Sequence, residues 1–325
     1  MTQLWSSRIL LGVYNLTPLH YGVGQATGAV DLPIARDAAT QVPVLPATGI
    51  KGVLRDYVQA KLGERKTNQL FGADISEERQ SGSGDPEAGR LTFTEARLIA
   101  YPARSLNRPF LHVTCPLILD RLRRDLAATG ADRLLSLREI TKDHPALTAD
   151  KALDQKSLVL DNLVYGETEV RYREDVSAVA EALSTLLPET EATSRERLVS
   201  GLVIVPDADF GHLMRVAVPV QARVRLTGGK TTDKWLNPET GKEEKGNLWY
   251  EEYLPSDCLF VSLVGERRSR NGGTGAAGNG AREAHLSDLV AVRSEFQVVQ
   301  LGGNETVGYG LSWLTTVGDE RETKR

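Results

Sequence analysis

A chain of 325 residues with 41% hydrophobic and 25% charged side chains is an ordinary soluble globular composition, long enough for two domains or for one large domain with insertions. Its formal net charge of −4 excludes a global basic field, so contact with nucleic acid would need a local groove. Cys115 and Cys258 give neither a disulfide framework nor a zinc spacing, no HxxxH or HxxE pattern joins the histidines, and neither a signal peptide nor an apolar run of about 20 residues is present, so the expectation is a cytoplasmic protein with reduced thiols and no membrane contact.

The first predicted element is a buried strand, "RILLGVYNLT" (Arg8 to Thr17), stopped by Pro18. A Gly- and Pro-rich loop follows from Leu19 to about Thr40, and a loop that long in a compact domain is often functional. It carries His20, a lone histidine of the kind that is usually structural, and "GAVDLPIAR". There Pro33 pushes Leu32 to an extended conformation, and no helical period surrounds Asp31. The local pattern favours a solvated turn residue at Asp31; a carboxylate placed for chemistry is the alternative.

"PATGIKGVLRDYVQAKLG" predicts a helix, with Ile50, Val53, Leu54, Tyr57 and Val58 at helical spacing, Thr48 as N-cap and Gly63 as stop. Lys51 and Arg55 lie one turn apart on its polar face, which makes the helix start an anion candidate or simply a solvated face. Residues 64–89 read as a loose polar loop. "RLTFTEARLIA" reads as one strand, "CPLILDRLRRDLAATG" as a helix with Pro116 in its first turn and Gly130 at its end, "KSLVLDNLVYG" as a strand, "DVSAVAEALSTLLP" as a helix and "GLVIVP" as a short buried strand.

Residues 216–254 predict a long protruding hairpin around the turn signal "NPETGK". "DCLFVSLVGE" is a buried strand, residues 265–283 a flexible Gly-rich insertion, and "FQVVQL" and "GLSWLTTV" a final strand pair. Their connection, "GGNETVGYG", does not fit GxxxxGK[ST] and precedes a strand, so it reads as a bulged turn whose glycines allow positive φ and close backbone approach. The sum is an α+β chain without a regular βαβ series, which disfavours a doubly wound nucleotide-binding fold.

"YNLTPLHYGVG", "VDLPIARD", "PVLPATGIKGVLR", "LFG" before "GRLTFTEA", "NLWYEEYLP" and "GGNETVGYGL", in this order from Leu11 to Leu311, closely resemble the RAMP superfamily of CRISPR proteins. "VDLPIAR" with "LWYEEYLP" resembles the repeated backbone subunit of type III-B effector complexes. The resemblance implies one domain over 1–325: an RRM-like, ferredoxin-type palm elaborated by insertions, with 216–254 as a thumb hairpin. It implies copies packed head-to-tail into a filament along a guide crRNA, a complementary target RNA, and the other subunits of the complex (a large polymerase-like subunit, a small helical subunit and capping RAMP subunits) as partners.

Asp31 matches the family position of a loop aspartate needed to cut target RNA. That reaction depends on a divalent cation and leaves a cyclic phosphate, so the implied role is to hold Mg²⁺ or Mn²⁺ or to accept the proton of a ribose 2′-OH. His20, Glu251 and Tyr253 match supporting positions around the cut, and Glu251 and Tyr253 would share one face of a strand. Thr48, Lys51 and Arg55, with Arg36 and the loop glycines Gly302, Gly303, Gly308 and Gly310, are the expected contacts to guide phosphates. The competing reading is a non-catalytic guide-binding scaffold. A guide-maturation ribonuclease is disfavoured by the "LWYEEYLP" segment.

Overall fold

The computed structural model describes residues 4–26, 28–73, 88–132, 135, 144–226, 235–236, 241, 243–244, 248–267 and 284–318. Strand β1 spans Trp5–Asn15, and β2 is Val44–Leu45. Helix α1 (Ala47–Leu62) buries Ile50, Leu54 and Val58 at the expected spacing and stops at Gly63, φ 75°. Its N-cap is Pro46, and Thr48 lies inside the first turn rather than capping it. α2 (Glu64–Phe71) corrects the start of the expected loop: Thr67, Leu70 and Phe71 give its polar sequence one buried face. The remainder of that loop, 74–87, lies outside the described residues.

The single strand expected over Arg90–Ala100 is two, β3 (Leu91–Phe93) and β4 (Ala96–Arg104). Between them Thr94 accepts hydrogen bonds from Leu263 N at its hydroxyl (2.9 Å) and from the Ser262 hydroxyl at its carbonyl (2.7 Å), so a side chain interrupts the ladder. β5 (Phe110–Thr114) leads into α3 (Pro116–Thr129), which has Pro116 in its first turn and Gly130 in the left-handed region, as its sequence predicts. β6 is Ala146–Thr148. The strand expected over Lys156–Gly166 is a hairpin of β7 (Leu158–Leu160) and β8 (Leu163–Tyr165), turned at Asp161 with φ 53°. Asp tolerates that conformation better than most residues, and periodicity alone does not reveal it.

β9 (Val170–Tyr172), α4 (Glu174–Ser184), α5 (Ala192–Gly201), β10 (Leu202–Ile204) and α6 (Asp207–Val216) follow. The hairpin region therefore starts later than expected, because Val216 still belongs to a helix. β11 (Val220–Val224) pairs antiparallel with β14 (Leu248–Glu252), and farther out β12 (Trp235–Leu236) pairs with β13 (Glu243–Glu244). Most of the expected "NPETGK" turn lies outside the described residues. β15 (Leu259–Arg267) takes in the first residues of the expected Gly-rich insertion, and 268–283 lie outside the described residues. α7 (Leu286–Ser294), β16 (Val298–Gln300) and β17 (Leu311–Gly318) complete the chain.

Eleven strands form one sheet in the order β16-β17-β1-β15-β4-β5-β10-β6-β9, with β2 paired to β4 and β3 to β15. The four inner strands β17-β1-β15-β4 run antiparallel throughout, so the fold is α+β with a largely antiparallel sheet. β1 lies at the centre of this group. Its apolar run is buried on both faces, and Gly12 is placed where a Cβ would come 2.4 Å from the carbonyl oxygen of Leu186. α1 and α7 pack together, with the Tyr57 and Phe296 rings stacked at 4.5 Å and Lys61 paired to Glu295 at 2.7 Å. Buried Asn15 ends β1 by donating to Thr17 O and Pro255 O and accepting from Cys258 N. That single amide ties the start of the Leu19–Thr40 segment to the connection between β14 and β15. Among the described residues no helix is long and apolar enough to cross a membrane.

Candidate functional site

The segment after β1 is laced to β14 rather than free. Leu19 and Leu254 exchange backbone hydrogen bonds at 2.9 Å in both directions. Asp31 N and Leu32 N both donate to Tyr250 O at 3.1 Å, and Glu252 N donates to Leu32 O at 3.0 Å. Asp31 adds a side-chain lock, its Oδ2 accepting Tyr250 N at 2.7 Å. Ile34 N, beyond the donor gap at Pro33, reaches the Glu252 carboxylate at 3.0 Å. The proline-stiffened bend is thereby an extra edge on the ribbon, and its half-buried carboxylate has a set position. Asp31 borders a cavity of about 530 Å³ lined also by Gln25, Ala26, Leu32, Arg225, Leu248 and Trp249.

One residue beyond Tyr250 the ribbon turns a different side chain inward. Glu251 is 2% exposed. It forms an ion pair with Arg223 Nε at 2.6 Å, accepts from the Asn304 amide, and has His20 Nδ1 at 3.4 Å. The Arg223 guanidinium also lies over the Tyr309 ring, 4.9 Å from its centroid, and Tyr309 meets Tyr253 edge-on at 5.9 Å. Burial raises the Tyr309 hydroxyl pKa. His20, Glu251 and Tyr253 are thus brought together with Arg223, Asn304 and Tyr309. Held by Arg223 and Asn304, the Glu251 carboxylate joins the ribbon to the glycine loop.

His20 Nδ1 donates to Glu252 O at 2.7 Å, and Nε2 lies on the opposite edge of the ring. Gly22 keeps the space there open, since a Cβ at that position would come 2.6 Å from Nε2.

The expected phosphate contacts fare differently. Arg36 is committed to the protein: it meets Glu252 at 2.5 Å and donates to Gln41 O and Met214 O. Arg55 donates to Gly72 O and to Asn68 Oδ1, which fastens α2 to α1. Thr48 and Lys51 line a cavity shared with Gly72, Gly89 and Arg267. The Lys51 pKa is lowered, first by burial and then by the neighbouring Arg55 charge. In the Gly-rich loop the amides of Gly303 and Gly310 donate to His20 O and Pro18 O, and that of Gly308 to Glu305 O. Gly302 and Gly310, both in the left-handed region, allow close contact with His20 and Leu301. The loop therefore seats the His20 segment with the amides that a phosphate would otherwise use.

Among the described residues no three His, Cys, Asp or Glu side chains converge to hold a metal ion. Arg223 escapes sequence reasoning because its contact with Glu251 is diagonal across the ribbon, where the register pairs Glu251 with Gln221. Asn304, φ 64°, carries a faint signal: a non-glycine tolerant of positive φ inside a glycine loop.

The profile of the RAMP superfamily matches residues 13–312. The chain is 32% identical over 312 residues to the CRISPR system Cmr endoribonuclease Cmr4 of Pyrococcus furiosus, covering 94% of each. It is 24% identical over 329 residues to the CRISPR system CMR subunit Cmr4 of Saccharolobus solfataricus, again 94% of each. The fold superposes on oligomeric Cmr4 from Pyrococcus furiosus with a TM-score of 0.66 at 24% identity, over 96% of this chain and 98% of the other. A chain of the type III-B Cmr-beta complex bound to cognate target RNA gives 0.66 at 19% identity, over 97% and 98%.

Proposed function

This chain belongs to the RAMP superfamily, and we propose that it is the RNA-binding backbone subunit of a type III-B complex and the metal-dependent endoribonuclease that cuts the complementary target RNA at regular intervals. Supporting this reading, β17-β1-β15-β4 with α1 after β1 and α7 after β15 has the strand order and directions of a split βαβ, ferredoxin-type palm. The β11–β14 ribbon, inserted far along the chain, is the thumb. Guide crRNA, target RNA, further copies head-to-tail, and the large, small and capping subunits are the proposed partners, in the cytoplasm.

The observation that carries the catalytic part is the Asp31 carboxylate, fixed on the Tyr250 amide beside an open cavity at the thumb base. A 2′-OH attacks the adjacent phosphorus, the P–O5′ bond breaks, the departing 5′-oxygen takes a proton from solvent water, and a 2′,3′-cyclic phosphate and a 5′-hydroxyl result. Asp31 orients that 2′-OH, and its carboxylate takes the proton or holds the divalent ion. A bound Mg²⁺ or Mn²⁺ supplies charge stabilisation at the phosphate. The hard oxygen donor of Asp31 would suit such an ion, and RNA oxygens and water would have to complete its shell, since no three His, Cys, Asp or Glu side chains converge among the described residues. The Glu251 cluster keeps the bend, the thumb base and the glycine loop in one arrangement.

In the assembled complex, Asp31→Asn removes cutting and leaves guide and target binding intact, and EDTA stops cutting by the unaltered complex. Target cleavage is measured under single turnover. Equal cutting by the Asp31→Asn complex reduces the chain to a guide-binding scaffold; undiminished cutting in EDTA removes the metal.

A further inference from the structure

The cavity beside Asp31 is not lined as a bare phosphate site would be. Trp249, Leu248, Leu32 and Ala26 present aromatic and aliphatic surface, while Gln25, Asp31 and Arg225 present a hydrogen-bonding amide, an acceptor carboxylate and a cation. An anion alone gains nothing from aliphatic surface and is repelled by a carboxylate. An apolar peptide segment gains nothing from a charged pair at the wall. A ribonucleotide uses all three: a π face for its base, hydroxyls for a carboxylate, and a phosphate for a guanidinium. At about 530 Å³ the space is within the range of small-molecule sites.

Resting on the cleavage reading above, we propose that this cavity receives the one target nucleotide on the 5′ side of the cut, with its base against Trp249. The connectivity of RNA selects that nucleotide. The attacking 2′-OH belongs to the sugar whose 3′-phosphate is cleaved, and this hydroxyl is the one at Asp31. Its base is then one sugar away from the carboxylate, in the space where Trp249 and Leu248 lie. Trp249 is a half-buried residue of β14, the same strand whose Tyr250 amide holds Asp31. Base seat and carboxylate are therefore one rigid unit, so stacking orients the nucleophile. Recognition through a π face accepts any base, as a guide-directed nuclease requires.

The test pairs protein and substrate changes in the assembled complex under single-turnover conditions. Two targets are compared, identical except that one carries an abasic nucleotide immediately 5′ of a cut site. Loss of one stacked base predicts cutting on the order of tenfold slower at that site. Trp249→Leu should slow the intact target by about the same factor and the abasic target no further, and Trp249→Phe should restore most of the rate. Equal slowing of both targets by Trp249→Leu, the result of a structural role or of a protein partner in the cavity, overturns the proposal, as does no slowing of either. Asp31→Asn is run beside them: if it cuts normally, the cleavage reading itself fails, whereas a required Asp31 with base-independent rates removes only the nucleotide seat.

Discussion

Replacing Glu251 by Gln changes one charge at the point where the bend, the ribbon and the glycine loop meet. The carboxylate is 2% exposed and sits 2.6 Å from Arg223 Nε, whose side chain is 19% exposed. Removing one partner of a fully buried pair costs about 3–5 kcal/mol. Here the Arg223 cation keeps the Tyr309 ring at 4.9 Å, and Gln still offers an acceptor where the carboxylate stood, although Nε and Nη2 of Arg223 are buried. The loss is therefore nearer that of one charge-assisted contact, about 2 kcal/mol. If that loss is expressed locally, the amides of Leu19, Gly303 and Gly310, which bond across the same junction, exchange with deuterium on the order of 30-fold faster. Core amides of β1 change less. Native-state hydrogen exchange read at these amides is the assay. Unchanged exchange in a folded Glu251→Gln protein refutes Glu251 as the tie between the segments. A second readout separates positioning from proton transfer. A positioning Glu251 lowers the rate of RNA cutting without moving its pH profile, whereas a proton-exchanging Glu251 moves it.

Burial, with Arg197 adding to it, pushes the pKa of His112 from 6.5 down to about 4, against a hydrogen bond to Asp257 O at 3.1 Å. The unfolded chain then takes the extra proton between these values. Stability is full above pH 6.5 and falls by about 3 kcal/mol as pH drops towards 4; denaturant unfolding against pH should show this limb, flattened in His112→Gln. Gly302→Ala places a Cβ 2.3 Å from His20 O at φ 79° and should cost well over the roughly 1–2 kcal/mol of the left-handed backbone alone, whereas Gly308→Ala, at φ 82° with open space, should cost only that, as read by thermal unfolding. Lys51→Ala should weaken guide binding about equally for all sequences and reduce the salt slope by about 1; a sequence-selective loss contradicts a phosphate contact.

What the sequence by itself determined is what local periodicity carries. The apolar run of β1, the stripe and Gly63 stop of α1, and the Pro116 and Gly130 ends of α3 are readable because each depends on residues within one element. The order of short motifs likewise identified the superfamily. Elements whose signals are weak or split went unread: α2 beneath a polar sequence, α5 and α6, and the strand breaks made by Thr94 and Asp161. For the site, the sequence supplied His20, Asp31, Glu251 and Tyr253 as candidates but not their company. Only the tertiary structure decided that Arg36 and Arg55 are engaged by protein acceptors and that Gly303 and Gly310 give their amides to the segment of Pro18 and His20. It alone set Asp31 on an amide 219 positions away and gathered Arg223 and Asn304 around one carboxylate. The reason is that a side chain's partner across strands is a matter of register, and register is set by how distant segments pair around a shared core, a relation that no local window of residues contains.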